Sequence, residues 1–381
     1  MDVQERVGRL LDKVKSNTRN FLGYPVSKDF DYEELMPFLK YPMNNLGDPF
    51  INSTYGVNSN EMEQEVIRFF ARLFRAEEDD WWGYVTNGGS EGNLYGLYLA
   101  RERYAKAMVY YSESTHYSVQ KNLHLLGMPC IVIRSQENGE MDYDDLKESM
   151  SNHRNVPAIV LANIGTTMTE AADDISIIRK VIKSLAIQHH YVHCDAALGG
   201  IISAFTEPRP AFDFADGADS IAISGHKFIG SPIPCGVVVV KKANRDRIAL
   251  AVSYIGSSDT TITGSRNGHS PLFLWYALKR LGTEGLNARV AKCRETAEYA
   301  LRKLEENGIP CWRNPQAITI VIPAQSKVVA SKWQLATEGD LSHIICMPNV
   351  SFDQIDELIV DINNAPQEHA HAQEAIDFFM S

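Results

Sequence analysis

Apolar residues at Val3, Val7, Leu10, Leu11 and Val14 recur at helical spacing and predict an amphipathic arm over residues 3–15. Met62, Val66, Phe69, Phe70 and Leu73 predict a second helix over 61–74, with that stripe facing inward. The pattern then changes to short continuous apolar runs. Residues 83–86, 107–111, 129–133, 158–163, 191–195, 221–224 and 236–240 have the length and β-branched content of strands buried on both faces, as in a mostly parallel sheet. Residues 87–89 read as a tight turn, followed by a helix over 90–103 with Leu94, Leu97, Tyr98 and Leu99 inward. A second helix opens after residues 114–118. Residues 252–259 break into a Gly/Ser-rich loop, and a long helical stretch begins near Leu272. Strands over 318–322 and 343–347 follow, and residues 366–381 read as a polar linker with a short terminal helix. The expected fold is α/β, a large mostly parallel sheet domain with a small α+β domain after it.

Composition narrows the function. The 381-residue chain is 44% hydrophobic with a formal net charge of -11, so it can bury a substantial core, and it lacks the Lys/Arg clusters that phosphate backbones require. Nucleic acid is therefore not an expected partner. No apolar run reaches the length of a membrane span, and the first residues lack a basic flank with an apolar segment, so a cytoplasmic protein is expected. The six cysteines are scattered without paired spacing. His189, His190, His193 and Cys194 sit along one strand, where successive side chains point to opposite faces, and no metal site is expected.

The chemistry concentrates at Lys227, which follows the run Ile221-Ala222-Ile223-Ser224-Gly225-His226. A lysine at the end of a core strand either snorkels to the surface or uses a desolvated amine for covalent chemistry, typically a Schiff base with pyridoxal phosphate. Asp195 precedes it by the length of one strand-helix-strand crossover, so both side chains could meet at carboxyl strand ends, where an aspartate can hold a pyridine nitrogen protonated. Gly88, Gly89 and Ser90 open a helix whose unpaired N–H groups suit a phosphate, and without a P-loop lysine this is not a nucleotide motif. The same residues spell a Gly-x-Ser-x-Gly nucleophile elbow, with Asp195 and His226 following in hydrolase order. A serine hydrolase would leave Lys227 unexplained, and no His-Gly-Gly oxyanion stretch precedes the elbow.

Asp195-Ala-Ala-Leu followed by Ser224-Gly-His-Lys227 resembles the group II pyridoxal-phosphate decarboxylases, within the aspartate-aminotransferase-like fold (fold type I), from about Gly23 onward. Residues 44–50, 83–89, 163–167 and 264–269 match the histidine and serine decarboxylase subgroup in order. The resemblance implies pyridoxal 5'-phosphate as cofactor and α-decarboxylation of an L-amino acid, with histidine or serine as first candidates. It implies a homodimer with active sites at the interface, the arm of residues 3–15 crossing to the partner. By resemblance, His116 stacks on the pyridine ring opposite Ala197, Tyr254 returns a proton to Cα, and Ser90, Gly88, Gly89, Ser224 and His226 anchor the phosphate. Thr166 either reaches the cofactor or substrate, or closes a β-turn. Tyr24, Val26 and Asn45 line the substrate pocket, and Arg266 contacts the substrate carboxylate or pairs structurally. Val26 departs from the acidic residue of histidine-specific bacterial members and from the tyrosine of plant serine decarboxylases.

The division by role is residues 1–55 for arm and pocket loops, 56–271 for the large domain and 272–381 for the small one. Transamination or retro-aldol cleavage is the competing chemistry, because fold and lysine alone do not choose which Cα bond breaks. A cofactor-binding structural protein is the non-enzymatic alternative.

Overall fold

The computed structural model describes residues 2–248, 250–252 and 257–365. Two compact units divide the chain, one formed by Val26–Val290 and one joining Met1–Pro25 to the chain after Val290.

The smaller unit contributes the first helix, α1 (Val3–Arg19), which buries none of its residues. Its stripe of Val3, Val7, Leu10, Leu11 and Val14 is exposed along its whole length. The amphipathic pattern is thus a true helix signal, and its apolar face is not covered by any of the described residues.

The larger unit opens with a short 3-10 segment, Glu33–Lys40, then α2 (Asn60–Leu73), β1 (Trp81–Thr86), α3 (Gly89–Arg103) and β2 (Met108–Ser112). It continues through α4 (Ser118–Leu126), β3 (Cys130–Ile133), α5 (Tyr143–Ser151), β4 (Ala158–Asn163), α6 (Ile175–Ser184) and β5 (His190–Asp195). After α7 (Gly199–Ala204) come β6 (Ser220–Ser224), β7 (Gly236–Lys241), α8 (Lys242–Arg245) and the small pair β8 (Leu250–Val252) and β9 (Ser257–Asp259). The long helix α9 (His269–Glu306) breaks at Gly282, whose φ of 62° and ψ of -174° are non-helical.

Seven strands form one sheet in the order β1, β7, β6, β5, β4, β2, β3. All neighbours are parallel except β7, which runs against both β1 and β6. Strands β1, β2, β4, β5 and β6 therefore end at the same edge. The apolar runs make this possible, since β4 is buried at all six positions and β6 at all five.

Helix α3 sits very close to the sheet because its inward face is glycine. A Cβ at Gly92 would lie 2.8 Å from the Ala222 Cβ, and one at Gly96 would lie 2.3 Å from His193 Nδ1. Helix α2 departs from the expected stripe. Its buried residues are Asn60, Glu63, Val66, Ile67, Phe70 and Ala71, so Met62, Phe69 and Leu73 fall at the margins of the inward face. The face is turned toward Glu63, a charged residue with structural partners inside.

Beyond Val290, the smaller unit holds β10 (Thr319–Pro323), α10 (Lys327–Trp333), β11 (Thr337–Glu338), β12 (Leu341–Ile345) and α11 (Phe352–Asn364). Its three strands are antiparallel, with β12 central. The expected terminal helix over 366–381 lies outside the described residues.

Candidate functional site

Five residue groups named by the sequence emerge from one edge of the large sheet, at the carboxyl ends of its parallel strands. These are the Gly88-Gly89 turn after β1, His116 after β2, Thr166 after β4, Asp195 closing β5 and Lys227 just beyond β6. In an open α/β sheet this edge is where ligands bind.

Asp195 is buried, 7% exposed, and each of its oxygens has a donor. Oδ1 accepts from the Ala197 N–H at 3.2 Å and Oδ2 from Asn93 Nδ2 at 2.7 Å. Asn93 is held in turn, its Oδ1 lying 3.0 Å from His193 Nε2, while His193 Nδ1 lies 2.7 Å from the Ser220 hydroxyl. His193 is therefore a buried hydrogen-bonding residue on the face of β5 that carries Asp195. Among the described residues, no group of three or more His, Cys, Asp or Glu is arranged to hold a metal.

Lys227 is closely surrounded. Desolvation pushes its ammonium below the usual lysine range, and the Asp195 carboxylate opposes the shift without cancelling it. The Lys227 carbonyl accepts from the Ser27 N–H at 3.2 Å, which ties the segment carrying Val26 to the lysine turn. Burial also lowers the His116 pKa, Asp195 opposing and Lys227 and Lys121 adding to the shift. His116 Nδ1 lies 2.8 Å from the Ser118 hydroxyl at the start of α4. Asn163, at the end of β4, donates to both Ser112 Oγ and Thr115 Oγ1, and so steadies the loop on which His116 sits. Asn163 is itself oriented by Asp173, a wholly buried carboxyl pushed up to about 7 by desolvation.

The turn before α3 has the features of an anion cradle. Gly88 takes φ 148°, a region open to glycine, and α3 has no side chain capping its first N–H groups. A Cβ on Gly89 would stand 2.7 Å from Ser224 Oγ, so the Ser224 hydroxyl closes directly on the helix start. Ser90 is exposed and offers its hydroxyl to solvent. His226 Nδ1 lies 2.9 Å from the Cys235 carbonyl. The Cys235 N–H also lies 3.3 Å from Nδ1, so the neutral ring can accept there and donate from Nε2 to an anion, while Nδ1 donating to the carbonyl leaves Nε2 a donor only in the charged ring, which burial disfavours. Thr166 lies in a turn, its Oγ1 accepting from the Ala171 N–H at 3.0 Å and lying 2.8 Å from Thr169 Oγ1.

Two residues expected in the substrate pocket meet instead at Glu63. Arg266, 3% exposed, pairs with Glu63 Oε1 and donates to the Gly47 carbonyl at 3.1 Å. Asn45, wholly buried, donates to Glu63 Oε2 at 2.6 Å and accepts from the Ser59 N–H. The Val85 N–H of β1 adds a third donor at 2.8 Å. Of the two possibilities for Arg266, the geometry gives it the structural partner. Val26 is 39% exposed in the larger unit, and Tyr24 is 48% exposed in the smaller one, its ring stacked on Phe21 at 5.3 Å. Tyr254 lies outside the described residues, between β8 and β9.

The relay residues Asn93 and His193 and the hub Glu63 carry roles that the sequence does not announce. Glu63 had one visible signal, a charge three residues before Val66 and seven before Phe70 on a helix with an apolar face. A cavity of about 580 Å³ lies elsewhere in this unit, lined by Arg68, Arg72, Arg209 and Trp275, and includes none of the residues above.

A desolvated amine, a held carboxylate, a flat imidazole and an uncapped helix start fit the four parts of pyridoxal phosphate: aldehyde, ring nitrogen, ring face and phosphate. Comparison with known proteins agrees. Residues 50–310 match the pyridoxal-dependent decarboxylase conserved domain. Histidine decarboxylase of Mesorhizobium japonicum is 50% identical over 361 residues, covering 95% of this chain and 98% of that protein. The Morganella morganii histidine decarboxylase is 47% identical over 349 residues, 90% and 92% of the two chains. L-methionine decarboxylase from Streptomyces sp. 590 superposes with a TM-score of 0.88 at 26% identity, over 96% of each chain. Glutamate decarboxylase of Lactobacillus brevis shares the fold, with a TM-score of 0.78 at 18% identity over 96% and 94% of the two chains. The chain thus has the fold type I architecture and belongs to the pyridoxal-phosphate-dependent decarboxylases, enzymes that remove the carboxylate of an amino acid to leave an amine and carbon dioxide.

Proposed function

We propose that the amino acid decarboxylated is L-histidine. The observation that carries this reading is half identity, over nearly the whole length, to a histidine decarboxylase. Serine, from the subgroup resemblance, or another small amino acid is the second reading; Val26, which brings no polar group to the segment tied to the lysine turn, favours a small side chain over an imidazole but not serine over alanine. Comparing kcat/KM for histidine, serine, alanine and methionine, with the amine product measured directly, tests both. A serine preference would overturn the histidine reading and leave the decarboxylase intact.

When bound, pyridoxal phosphate supplies an aldehyde for amine exchange and a ring that accepts the electron pair of the Cα–carboxylate bond. In our reading Lys227 offers the free amine, since its lowered pKa raises the unprotonated fraction at neutral pH above that of an ordinary lysine. Asp195 would keep the ring nitrogen protonated, its carboxylate being held ready by Ala197 and Asn93. His116 and Ala197 would flank the ring, and the Gly88-Gly89-Ser90 N–H groups, Ser224 and His226 would hold the phosphate. Thr166 would sit at the ring's rim. The Tyr254 hydroxyl would deliver the proton that replaces the carboxylate at Cα. Tyr24 and Val26 would face the substrate side chain, while Asn45 and Arg266, both bound to Glu63, would take no part in gripping it.

We further propose a homodimer. Exposed apolar side chains support it, Met36, Phe38, Leu39 and Tyr41 around the 3-10 segment and the open stripe of α1. Light scattering after size exclusion would show twice the chain mass, and a monomer that decarboxylates at full rate would refute it. We assign the protein to the cytoplasm, a reading supported by six cysteines that form no disulfide, four of them buried. No helix among the described residues is long and apolar enough to cross a membrane. Thiol trapping in intact cells, followed by mapping, tests the assignment, and oxidised cysteines would oppose it.

A further inference from the structure

We propose that Asn93, oriented by His193 and Ser220, is a positioning residue that fixes the Asp195 carboxylate against a ring nitrogen of the cofactor. The proposal rests on the reading of Asp195 as that nitrogen's partner.

The chain of bonds admits one arrangement of protons. A carboxylate only accepts, so the Asn93 group at 2.7 Å from Asp195 Oδ2 must be the amide NH2. The other end of the amide, Oδ1, then faces His193 Nε2 at 3.0 Å and needs a donor, so Nε2 carries the imidazole proton. Nδ1 is left as an acceptor, and the Ser220 hydroxyl at 2.7 Å donates to it. Reversing any one of these bonds would set two acceptors or two donors against each other in a buried space. His193 and Ser220 are wholly buried and Asn93 is 2% exposed.

The surrounding fold holds the arrangement in place. His193 and Asp195 lie two apart on β5 and so project from the same face toward α3. His193 pairs in register with Ser220 on β6, which brings the hydroxyl alongside the ring. On the helix side only glycine fits, because a Cβ at position 96 would lie 2.3 Å from Nδ1 and 2.5 Å from Cε1. Burial also keeps the ring neutral, with a pKa pushed down to about 4. The neutral ring thus sets the amide, and the amide sets the carboxylate. If the amide turned over, its oxygen would face Oδ2, leaving that carboxylate oxygen without its donor and against another acceptor.

A structural role and a positioning role separate by ligand. The probes are pyridoxal phosphate and its analogue with carbon in place of the ring nitrogen, and the readout is equilibrium binding to the apoprotein. Removing a hydrogen bond to a charged group corresponds to about tenfold to a hundredfold in affinity. Asn93→Ala should weaken binding of pyridoxal phosphate by that factor and leave the carbon analogue within about twofold of its original affinity. Equal losses for both ligands, or no loss for either, would overturn the proposal. His193→Gln retains a side-chain donor for Asn93 and should stay close to the parent protein, while His193→Phe should behave like Asn93→Ala. This pair decides the matter if Asn93→Ala fails to fold, since indistinguishable ligand selectivity in the two His193 variants would equally overturn the proposal. Asp195→Ala is the control for the underlying reading. If it too fails to separate the two ligands, the pairing of Asp195 with the ring nitrogen is what falls.

Discussion

The buried cluster of Glu63, Arg266 and Asn45 makes an asymmetric prediction about stability. Glu63 takes donors from Arg266, Asn45 Nδ2 and the Val85 N–H, whereas among the described residues the Arg266 guanidinium donates to Glu63 and the Gly47 carbonyl alone. Glu63→Leu therefore strands a buried positive charge, an amide and a strand N–H together, while Arg266→Met leaves the carboxylate with two of its three donors. Breaking a buried pair by removing one partner costs about 3–5 kcal/mol. Glu63→Leu should fall at the top of that range. Arg266→Met should cost less, about 2–3 kcal/mol, since Glu63 keeps its Asn45 and Val85 donors, even though the contact of the guanidinium carbon 5.5 Å from the Tyr84 ring centroid is lost. The double variant should be more stable than Glu63→Leu alone, because no charge is left unpaired. Urea unfolding at fixed protein concentration with saturating cofactor measures all three. Single variants that each cost under about 1 kcal/mol would refute the reasoning. So would an Arg266→Met enzyme of normal stability whose KM for the amino acid rises, because Arg266 would then be gripping the substrate carboxylate.

Four further outcomes are expected. Borohydride treatment of the holoenzyme should fix the cofactor on Lys227 as read by peptide mapping, and label on any other lysine would displace Lys227 from its role. Tyr254→Phe should keep cofactor affinity and lose amine formation by about 10²-fold or more, with carbonyl by-products rising; unchanged amine turnover would remove Tyr254 from the proton transfer. Val26→Tyr should raise the serine-to-alanine ratio of kcat/KM by about tenfold, as one added hydrogen-bond partner would, and an unmoved ratio would show that Val26 does not face the substrate. Stability between pH 4 and 6.5 should reflect two buried groups of opposite sign. His193, down at about 4 against 6.5 unfolded, makes the unfolded chain bind the extra proton, so its contribution is lost as pH falls through that window. Asp173, up at about 7 against 3.8, makes the folded chain bind it, so its contribution is lost as pH rises from about 4 toward 7. His193→Gln should therefore tilt the profile toward acid stability and Asp173→Asn toward neutral stability, each by up to about 3 kcal/mol across the window; parallel profiles for the two variants would contradict both assignments.

Much of the large sheet was legible because a strand buried on both faces must be apolar throughout, and the run at 158–163 coincides with β4. Asp195 and Lys227 were legible for the opposite reason, being ionisable groups at the ends of such runs. The inward face of α2 was misread because burial there follows polar pairing as well as hydrophobicity, so that Glu63 displaces Met62 and Phe69 from the expected stripe. Asn45 looked like a pocket residue, and Arg266 stood open between the substrate carboxylate and a structural pair, because their recognisable motifs gave no sign of Glu63, a partner distant in sequence from Arg266. His193 invited a metal reading from its histidine neighbours, whereas its partners Asn93 and Ser220 come from α3 and β6 and form no local pattern. Helix α10 and the two-residue β11 are too short for a long periodic signal, whereas α11 carries one, Ile355, Leu358 and Ile359 behind the Ser351–Gln354 capping box, which a reading of this region from its strands passed over.

The glycine face of α3 makes that helix a ruler. Its first N–H groups, at Gly89, and its inward amide, at Asn93, are four residues apart, about 6 Å along the axis. The close approach at Gly92 and Gly96 prevents the helix from rolling or sliding on β5 and β6. The spacing between an anion at the helix start and a charge held at Asp195 is thereby written into a rigid rod. Inserting one residue between Gly89 and Asn93 would swing the amide about 100° around the helix axis, away from the carboxylate, while leaving the anion cradle intact. A chain altered in that way should still bind inorganic phosphate at the turn and no longer grade ligands by the distance from phosphate to ring nitrogen.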